Sequence, residues 1–435
     1  MESLVRLLWG PLASAEPSKS TEDLSITPFK VQDGLYLAWS DVAEAKLHFQ
    51  DKLQSTRFEW MLSEQESRGK QRERETSPPA QNADQPSKLA NLEESLLEAG
   101  TNFRPCKFGD ISAFCFELHK IWQANPSETL VICTSRRAKA IVDTTFLVAS
   151  YMILFQESTV DEAHSLLPPS APMMAAASAL HHARSLKWID LPADLKQSLR
   201  VNSKDDSMEE DRIFLDEYIH YDDVNTADMH ILVPGKLLAF TSPINIHQIA
   251  IPGCGEYTPK WKDADGRRRF SPEYFADIFD EFKVTVVVRG TRIRAHYDEI
   301  AFTTLGIHVE ALGGITLDGS PGSCQNFRDM DRFLTLAKVS GGYMAIECGE
   351  EGLGQIDVLV STFLMQKYGL SACKALSWCH IMHPGQTAGL QSPERRLLLK
   401  VVRDLERPSG RLRRHSLILE ISPARNGAGR RPPAA

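Results

Sequence analysis

The chain has 435 residues, 42% hydrophobic and 24% charged, with a net charge of −8. That length suits about two or three domains, since one core rarely grows beyond ~250 residues. The acidic balance argues against a nucleic-acid binder, and no apolar run approaches the ~20 residues that cross a bilayer.

Met1–Gly10 lacks the long apolar stretch and small-residue cleavage site of an export signal. The eight cysteines form no CxxC pair and sit among apolar residues, as core thiols do in a reducing cytosol or nucleus. A cytoplasmic or nuclear protein is expected. No Cys/His group has metal-ligand spacing, so no metal or cofactor is expected. His181, His182, His380 and His383 read as surface or structural residues.

Residues 1–30, rich in Ser, Pro, Glu and Thr, are expected to lack structure. Gly34-Leu-Tyr-Leu-Ala predicts a strand. Residues 63–94 interrupt the pattern with a polar, low-complexity run that reads as an inserted loop. Ile111–Gln123 has helical spacing, and Thr129–Thr134 reads as a buried strand. Ala138–Gln156 predicts a long apolar helix. Thr159 caps the next, which runs to Leu167. Strand, turn and helix in this order predict an α/β fold.

Residues 201–223 form an acidic linker containing Asp205, Asp206, Glu209, Glu210, Asp222 and Asp223. A second α/β unit follows over 224–408. Its predicted strands are Leu237–Phe240, Val284–Arg289, Ile307–Leu312 and Gly342–Glu347. Its predicted helices are Pro272–Phe282, Asn326–Ala337, Val358–Tyr368, Ser371–Ile381 and Pro393–Leu405. Residues 409–435 form a basic tail expected to lack structure.

The informative segment is Gly341–Tyr368. A strand ending at Ile346-Glu347-Cys348 leads into Gly349-Glu350-Glu351-Gly352-Leu353-Gly354-Gln355 and then a helix. Backbone N–H groups of such a turn, together with a helix N-terminus, cradle phosphate. A cysteine there becomes a nucleophilic thiolate. An arginine beginning the helix would grip the phosphoryl oxygens, and a nearby aspartate such as Asp318 would protonate the leaving group. No arginine is present: the next after the turn is Arg395. Glu350 and Glu351 oppose an anion. At ~5 Å and an effective dielectric of ~20, each unit repulsion is of order 3 kcal/mol. By itself the segment is also compatible with an ordinary βα turn.

Several runs together resemble the cell-division-cycle protein fourteen family of dual-specificity phosphatases. In the first half these are Gly34-Leu-Tyr-Leu-Ala, Lys107-Phe-Gly-Asp-Ile, Ala149-Ser-Tyr, Asp161-Glu-Ala and Leu166-Leu167. In the second they are Glu217-Tyr-Ile-His-Tyr-Asp-Asp-Val, Val233-Pro-Gly-Lys-Leu-Leu-Ala-Phe, Val286-Val-Val-Arg, Asp318-Gly-Ser, Gly352-Leu-Gly, Trp378 and His383-Pro-Gly. The resemblance spans Gly34 to about Leu405, apart from the insertion.

It implies two tandem phosphatase-like domains, each a mostly parallel sheet flanked by helices, joined by the acidic linker. The first, 31–200, is non-catalytic, and Cys133 in it is a core thiol. It implies Asp318 as general acid and Gln391 as the residue that positions water. Gln355 falls on the family's phosphate-gripping arginine, and Ile356-Asp357 on its Thr/Ser-Gly pair. The nucleophile has two placements. Aligned on the glycines it falls on Gly349. Aligned on the strand it falls on Cys348. For the linker acids Asp205, Asp206, Glu209, Glu210, Asp222 and Asp223 the resemblance implies a groove for basic and proline-containing segments, beside the plain reading of a solvated linker face.

The resulting expectation is a pseudophosphatase that binds phosphoproteins or Pro/basic peptides without efficient hydrolysis, and that binds neither nucleic acid nor membrane. An active enzyme using Cys348 and Asp318, with Arg289, Arg292 or Arg294 as replacement cation, is one alternative. A regulatory scaffold of the cell cycle acting through the insertion and the tail, where Arg413-Arg414-His415-Ser416 suits a basophilic kinase, is another.

Overall fold

The computed structural model describes residues 29–32, 35–39, 56–60, 99–100, 103–124, 129–134, 137–165, 170–190, 212–246, 249–251, 255–257, 259–264, 267–289, 297–312, 324–348 and 355–383. The acids at 205–210, the helix expected at 393–405 and both terminal segments lie outside these residues.

Strands β1 (Phe29–Gln32), β2 (Leu35–Trp39), β3 (Thr56–Trp60) and β4 (Thr129–Thr134) form one sheet in the order β1-β2-β4-β3. β4 is β-branched and apolar without alternation. It lies between two parallel partners, with Leu130 to Thr134 all buried. Helix α1 (Phe108–Ala124) precedes it, and α2 (Ala138–Phe155), α3 (Val160–His164) and α4 (Ala171–Ser185) follow. α2 has the length and hydropathy of a membrane span. It is apolar on every side because it is enclosed on every side: Thr144 to Phe155 are all buried, with α1 and α4 packed against the helix. α3 opens with a capping box: Thr159 Oγ1 accepts the Glu162 N–H, and the Glu162 carboxylate accepts the Thr159 N–H at 2.7 Å. α4 is not among the predicted helices, because its run of alanines blurs its apolar period. Its start signals, Ser170 as cap and Pro172 in the first turn, are present.

The short parallel pair β5 (Ile189–Asp190) and β6 (Ile213–Phe214) leads into α5 (Leu215–Asp222). This helix occupies the second half of the segment expected to be linker, and its Tyr218 and Asp222 are buried. Strands β7 (Met229–Val233) and β8 (Leu237–Thr241) form an antiparallel hairpin. Two further antiparallel pairs follow in the chain: β9 (Ile249–Ile251) with β10 (Gly255–Tyr257), and β11 (Trp261–Ala264) with β12 (Arg267–Phe270). Then come α6 (Pro272–Glu281), β13 (Val284–Arg289), α7 (Ile300–Thr303), β14 (His308–Ala311), α8 (Cys324–Val339), β15 (Tyr343–Cys348), α9 (Gln355–Tyr368) and α10 (Ala372–Met382).

The second sheet has the order β14-β13-β15-β8-β7, parallel except at the β7 edge. β15 is central and buried from Met344 to Cys348. Gly342, just before it, must lack a side chain: a Cβ there would lie 2.1 Å from the Lys283 carbonyl oxygen. Met344, Ile346 and Cys348 face the large core shared with α9 and α10. Ala345 faces a smaller core holding Phe240, Phe275, Phe279 and Phe302.

The halves of the chain meet at a seam of aromatic rings. Phe108 stands edge-on to Tyr218 at 5.2 Å and 6.4 Å from Trp378. Trp378 is 5.5 Å from Trp188, which meets Tyr368 at 4.8 Å. Tyr218 Oη donates to the Met382 carbonyl at 3.0 Å, and Trp378 Nε1 to that of Leu232 at 2.8 Å. A chain of ionic groups runs beside them. Lys107 Nζ lies 2.7 Å from Asp222, which accepts from His230 Nδ1 at 2.9 Å. His230 Nε2 lies 3.6 Å from Asp228. His383 packs edge-on to His230 at 4.5 Å.

Burial opposes charge on both His230 and Asp222. It is outweighed by their mutual hydrogen bond and by Asp228 and Lys107, so the histidine pKa is raised and the aspartate pKa lowered. Burial, with His230 alongside, drives the His383 pKa well down, leaving it neutral. Each large aromatic contributes ~4–6 kcal/mol of transfer energy for ~150–250 Å² buried. The ion chain nets less, because desolvation offsets most of its attraction, but opening it strands a buried charge.

Asp222→Ala, which removes the acceptor shared by Lys107 and His230, is expected to cost about 3–5 kcal/mol in urea unfolding near pH 6. The wild-type contribution of Asp222 is lost as pH falls below ~4 through its lowered pKa. That of His230 is complete below ~6.5 and lost as pH rises through its raised pKa. The difference between wild type and variant should therefore peak between those limits, and a pH-independent difference would contradict the network.

Candidate active site

β15 is the middle strand of the sheet, and its C-terminal end faces the N-terminus of α9. This places the connection at the carboxyl edge of a parallel sheet and at a helix N-terminus, the location where α/β folds cradle anions. Gly349, Glu350, Glu351, Gly352, Leu353 and Gly354 themselves lie outside the described residues, as do Asp318, Gln391, Arg292 and Arg294. What the structure describes is the pair of posts between which the turn is strung: Cys348 on one side and Gln355 on the other.

Cys348 is the last residue of β15 and pairs in register with Thr241 of β8. Strand alternation puts it on the face of Met344 and Ile346, within the large core that also holds Ile356 and Leu359. It is 6% exposed, and its thiol donates to the Ile346 carbonyl oxygen at 3.7 Å. Burial pushes its pKa well above the ordinary thiol value, and Asp228, Asp357 and Glu347 push it further. At neutral pH this sulfur is a protonated core thiol, the opposite of a thiolate held by positive potential.

Glu347 takes the opposite face. Its carboxylate accepts from Tyr297 Oη and from Ser242 Oγ, each at 2.6 Å. Burial and this carboxylate raise the phenol pKa, so Tyr297 stays a donor. Arg289, paired in register with Glu347, directs its guanidinium to Glu299 at 3.0 Å. The replacement cation nearest β15 in the sheet is therefore engaged with a carboxylate of its own.

No family model matches the chain. Curated relatives do. It is 26% identical to the dual specificity protein phosphatase CDC14A of Homo sapiens over 312 residues, 69% of this chain and 48% of that protein. It is 23% identical to the tyrosine-protein phosphatase cdc-14 of Caenorhabditis elegans over 300 residues, 67% of this chain and 39% of that one. It is 24% identical to the tyrosine-protein phosphatase CDC14 homolog of Schizosaccharomyces pombe over 298 residues, 67% of this chain and 51% of that one. The chain is similar to CDC14 phosphatases of several species. The chain spans about half the length of the relatives it matches. Among solved structures it is similar to Tk-PTP in its active form, at a TM-score of 0.28 and 18% identity over 41% of this chain and 97% of that one. Human DUSP28 is similar at a TM-score of 0.23 and 13% identity, over 38% of this chain and 97% of that one.

Several of the CDC14-like residues that the structure describes are in the seam. Lys107, Tyr218, Asp222 and Trp378 bind the halves of the chain together. The Asp222 carboxylate is directed inward to Lys107 and His230, whereas Asp223 is exposed and accepts from the Asn225 N–H at 2.9 Å.

Beyond the loop, the third residue of α9 is Asp357, where the family pattern has glycine. It is 2% exposed. Burial raises its pKa to about 7. Its Oδ2 has no hydrogen-bond partner among the described residues and lies 3.9 Å from His380 Nε2. In the sequence Asp357 stands out only as a replacement in the Thr/Ser-Gly pair, and Glu347 and Tyr297 carry no site signal. The one available signal was an acid where the family places glycine.

Two results follow from these environments. Cys348 should resist iodoacetamide in the native protein near neutral pH and become alkylated only on unfolding in urea, as read by mass spectrometry. Rapid native alkylation at Cys348 would show an accessible thiolate. Asp357→Asn should stabilise the protein above about pH 7, by up to ~4 kcal/mol for a shift of about three units. The folded carboxyl pKa is raised, so the wild type loses stability as pH rises from ~4 through 7. The gain should shrink as pH falls through that window, in urea titrations at several pH values.

Proposed function

We propose that this phosphatase-like protein is a pseudophosphatase: it binds phosphorylated, proline- and Lys/Arg-containing segments without efficient hydrolysis. The observation that carries this reading is the direction of Cys348. Its side chain faces the core and its thiol stays protonated. This favours the alignment in which the nucleophile position falls on Gly349, a residue with no side chain to attack phosphorus. Gln355 at the arginine position and Asp357 at the glycine position support it, since neither restores a cation to the turn. The tandem-domain arrangement implied by the resemblance is part of the same proposal.

The binding role draws support from α5. Asp216, Ile219 and Asp223 recur at helical spacing, and all three are exposed, Ile219 to 44%. Phe214 and Val224, at the two ends of the helix, are 46% and 38% exposed. Apolar surface edged by carboxylates suits a segment that pairs proline with a basic residue. In this proposal Asp223 lines the groove, while Asp222 is turned inward to Lys107 and His230.

Turnover of p-nitrophenyl phosphate should not exceed background, and Cys348→Ser should leave that rate unchanged. A rate that vanishes in Cys348→Ser would overturn the reading. A phosphoserine-proline-lysine peptide should bind, and should lose about tenfold in affinity when Asp216 and Asp223 are both replaced by lysine.

A further inference from the structure

A second concave site lies at the other end of the same sheet. The pocket, ≈ 320 Å³, is floored by Leu334 and Ala337 of α8 and Phe363 of α9. Those three floor residues are 6%, 3% and 3% exposed. Three lysines rim it: Lys236 from the turn between β7 and β8, Lys338 near the end of α8 and Lys367 near the end of α9. Among the described residues, no lining residue is a carboxylate, although the chain as a whole carries −8.

Lysines near helix C-termini balance the exposed carbonyl ends, and this accounts for Lys338 and Lys367 singly. It does not account for Lys236, which comes from a β-turn and reaches the Ser340 carbonyl at 3.5 Å on the same rim. Nor does it account for three like charges gathered around one apolar floor. Lys367 lies over the rings of Phe363 at 5.6 Å and Tyr368 at 5.4 Å, so a cation is already held against the floor by aromatic faces.

We propose that this pocket is a docking site for an acidic peptide segment of a partner protein, seating one bulky apolar side chain on the floor with carboxylates against Lys236, Lys338 and Lys367. The volume is at the small end of ligand pockets and suits one large side chain with its flanking backbone. Charge complementarity selects the acidic flanks, and the floor selects the apolar anchor. From Gln355 to Lys367 along α9 is about 18 Å at 1.5 Å per residue, so the pocket is remote from the turn at 349–354. The proposal is thus separate from the pseudophosphatase reading.

The test uses the full chain and a fluorescein-labelled peptide with one phenylalanine flanked by aspartates, followed by fluorescence anisotropy. The peptide should bind, and binding should weaken several-fold as salt rises from about 50 to about 300 mM. Lys338→Glu with Lys367→Glu, both at exposed positions, should weaken it at least about tenfold. Replacing the phenylalanine by glycine should do the same. The double variant should still bind the phosphoserine-proline-lysine peptide as the wild type does, which separates failure here from failure at the loop. Absence of binding by the wild type, or binding unchanged by either the charge reversal or loss of the phenylalanine, would overturn the proposal.

Discussion

β15 is buried on both faces and hydrogen-bonded on both edges, and this constraint determines what the neighbouring residues can do. A slip of one residue would exchange its faces, placing Glu347 in the apolar core and Met344, Ile346 and Cys348 against Tyr297 and Ser242. The register is held from outside the strand. β8 and β13 pair with it in parallel, Gly342 admits the Lys283 carbonyl, and Tyr297 and Ser242 hold the Glu347 carboxylate. With the pleat held, Cys348 has no freedom to face the turn. Its chemistry follows from that direction: enclosed among aliphatic side chains and near three carboxylates, it keeps its proton.

The same sheet is braced by residues far away in sequence. Lys107 and Asp222, 115 positions apart, meet at 2.7 Å. Tyr218 reaches the carbonyl of Met382, at the end of α10, and Trp378 reaches that of Leu232 in β7. The Lys107–Asp222 pair, with Phe108 and Trp188 against Tyr218 and Trp378, joins the helix layer of the first half to the second, and one apolar core runs through both. The divergent loop and the retained seam are therefore physically separable. Substitutions at Phe108, Tyr218 or Trp378 open a buried cluster. The proposed binding surface on α5 rests on this architecture and not on the chemistry of the 349–354 connection.

Much of this was legible in the sequence. Strand Thr129–Thr134 and strand Val284–Arg289 are found at their predicted limits, because unbroken β-branched runs have few alternatives. The helix after Thr159 begins at its capping box. The absence of arginine after Gly354 and the acids in the turn need no coordinates to be seen. α4 was missed because alanines carry little periodic contrast, and α9 begins at Gln355, three residues before the predicted Val358, because Ile356 and Asp357 are buried within its first turn.

Composition and motif order by themselves determined the α/β class, the likeness to CDC14 phosphatases and the absence of an arginine between Gly349 and Tyr368. Only the tertiary structure decided what individual side chains do. Asp222 reads as one of a row of linker acids, and it became a buried partner of Lys107 and His230. Cys348 reads as a possible nucleophile, and the pleat turned it into the core. Asp357 reads as a helix acid, and burial held its proton to about pH 7. The reason is common to all three. Charge and reactivity are set by solvent exposure and by neighbours distant along the chain, and neither is written at the residue itself.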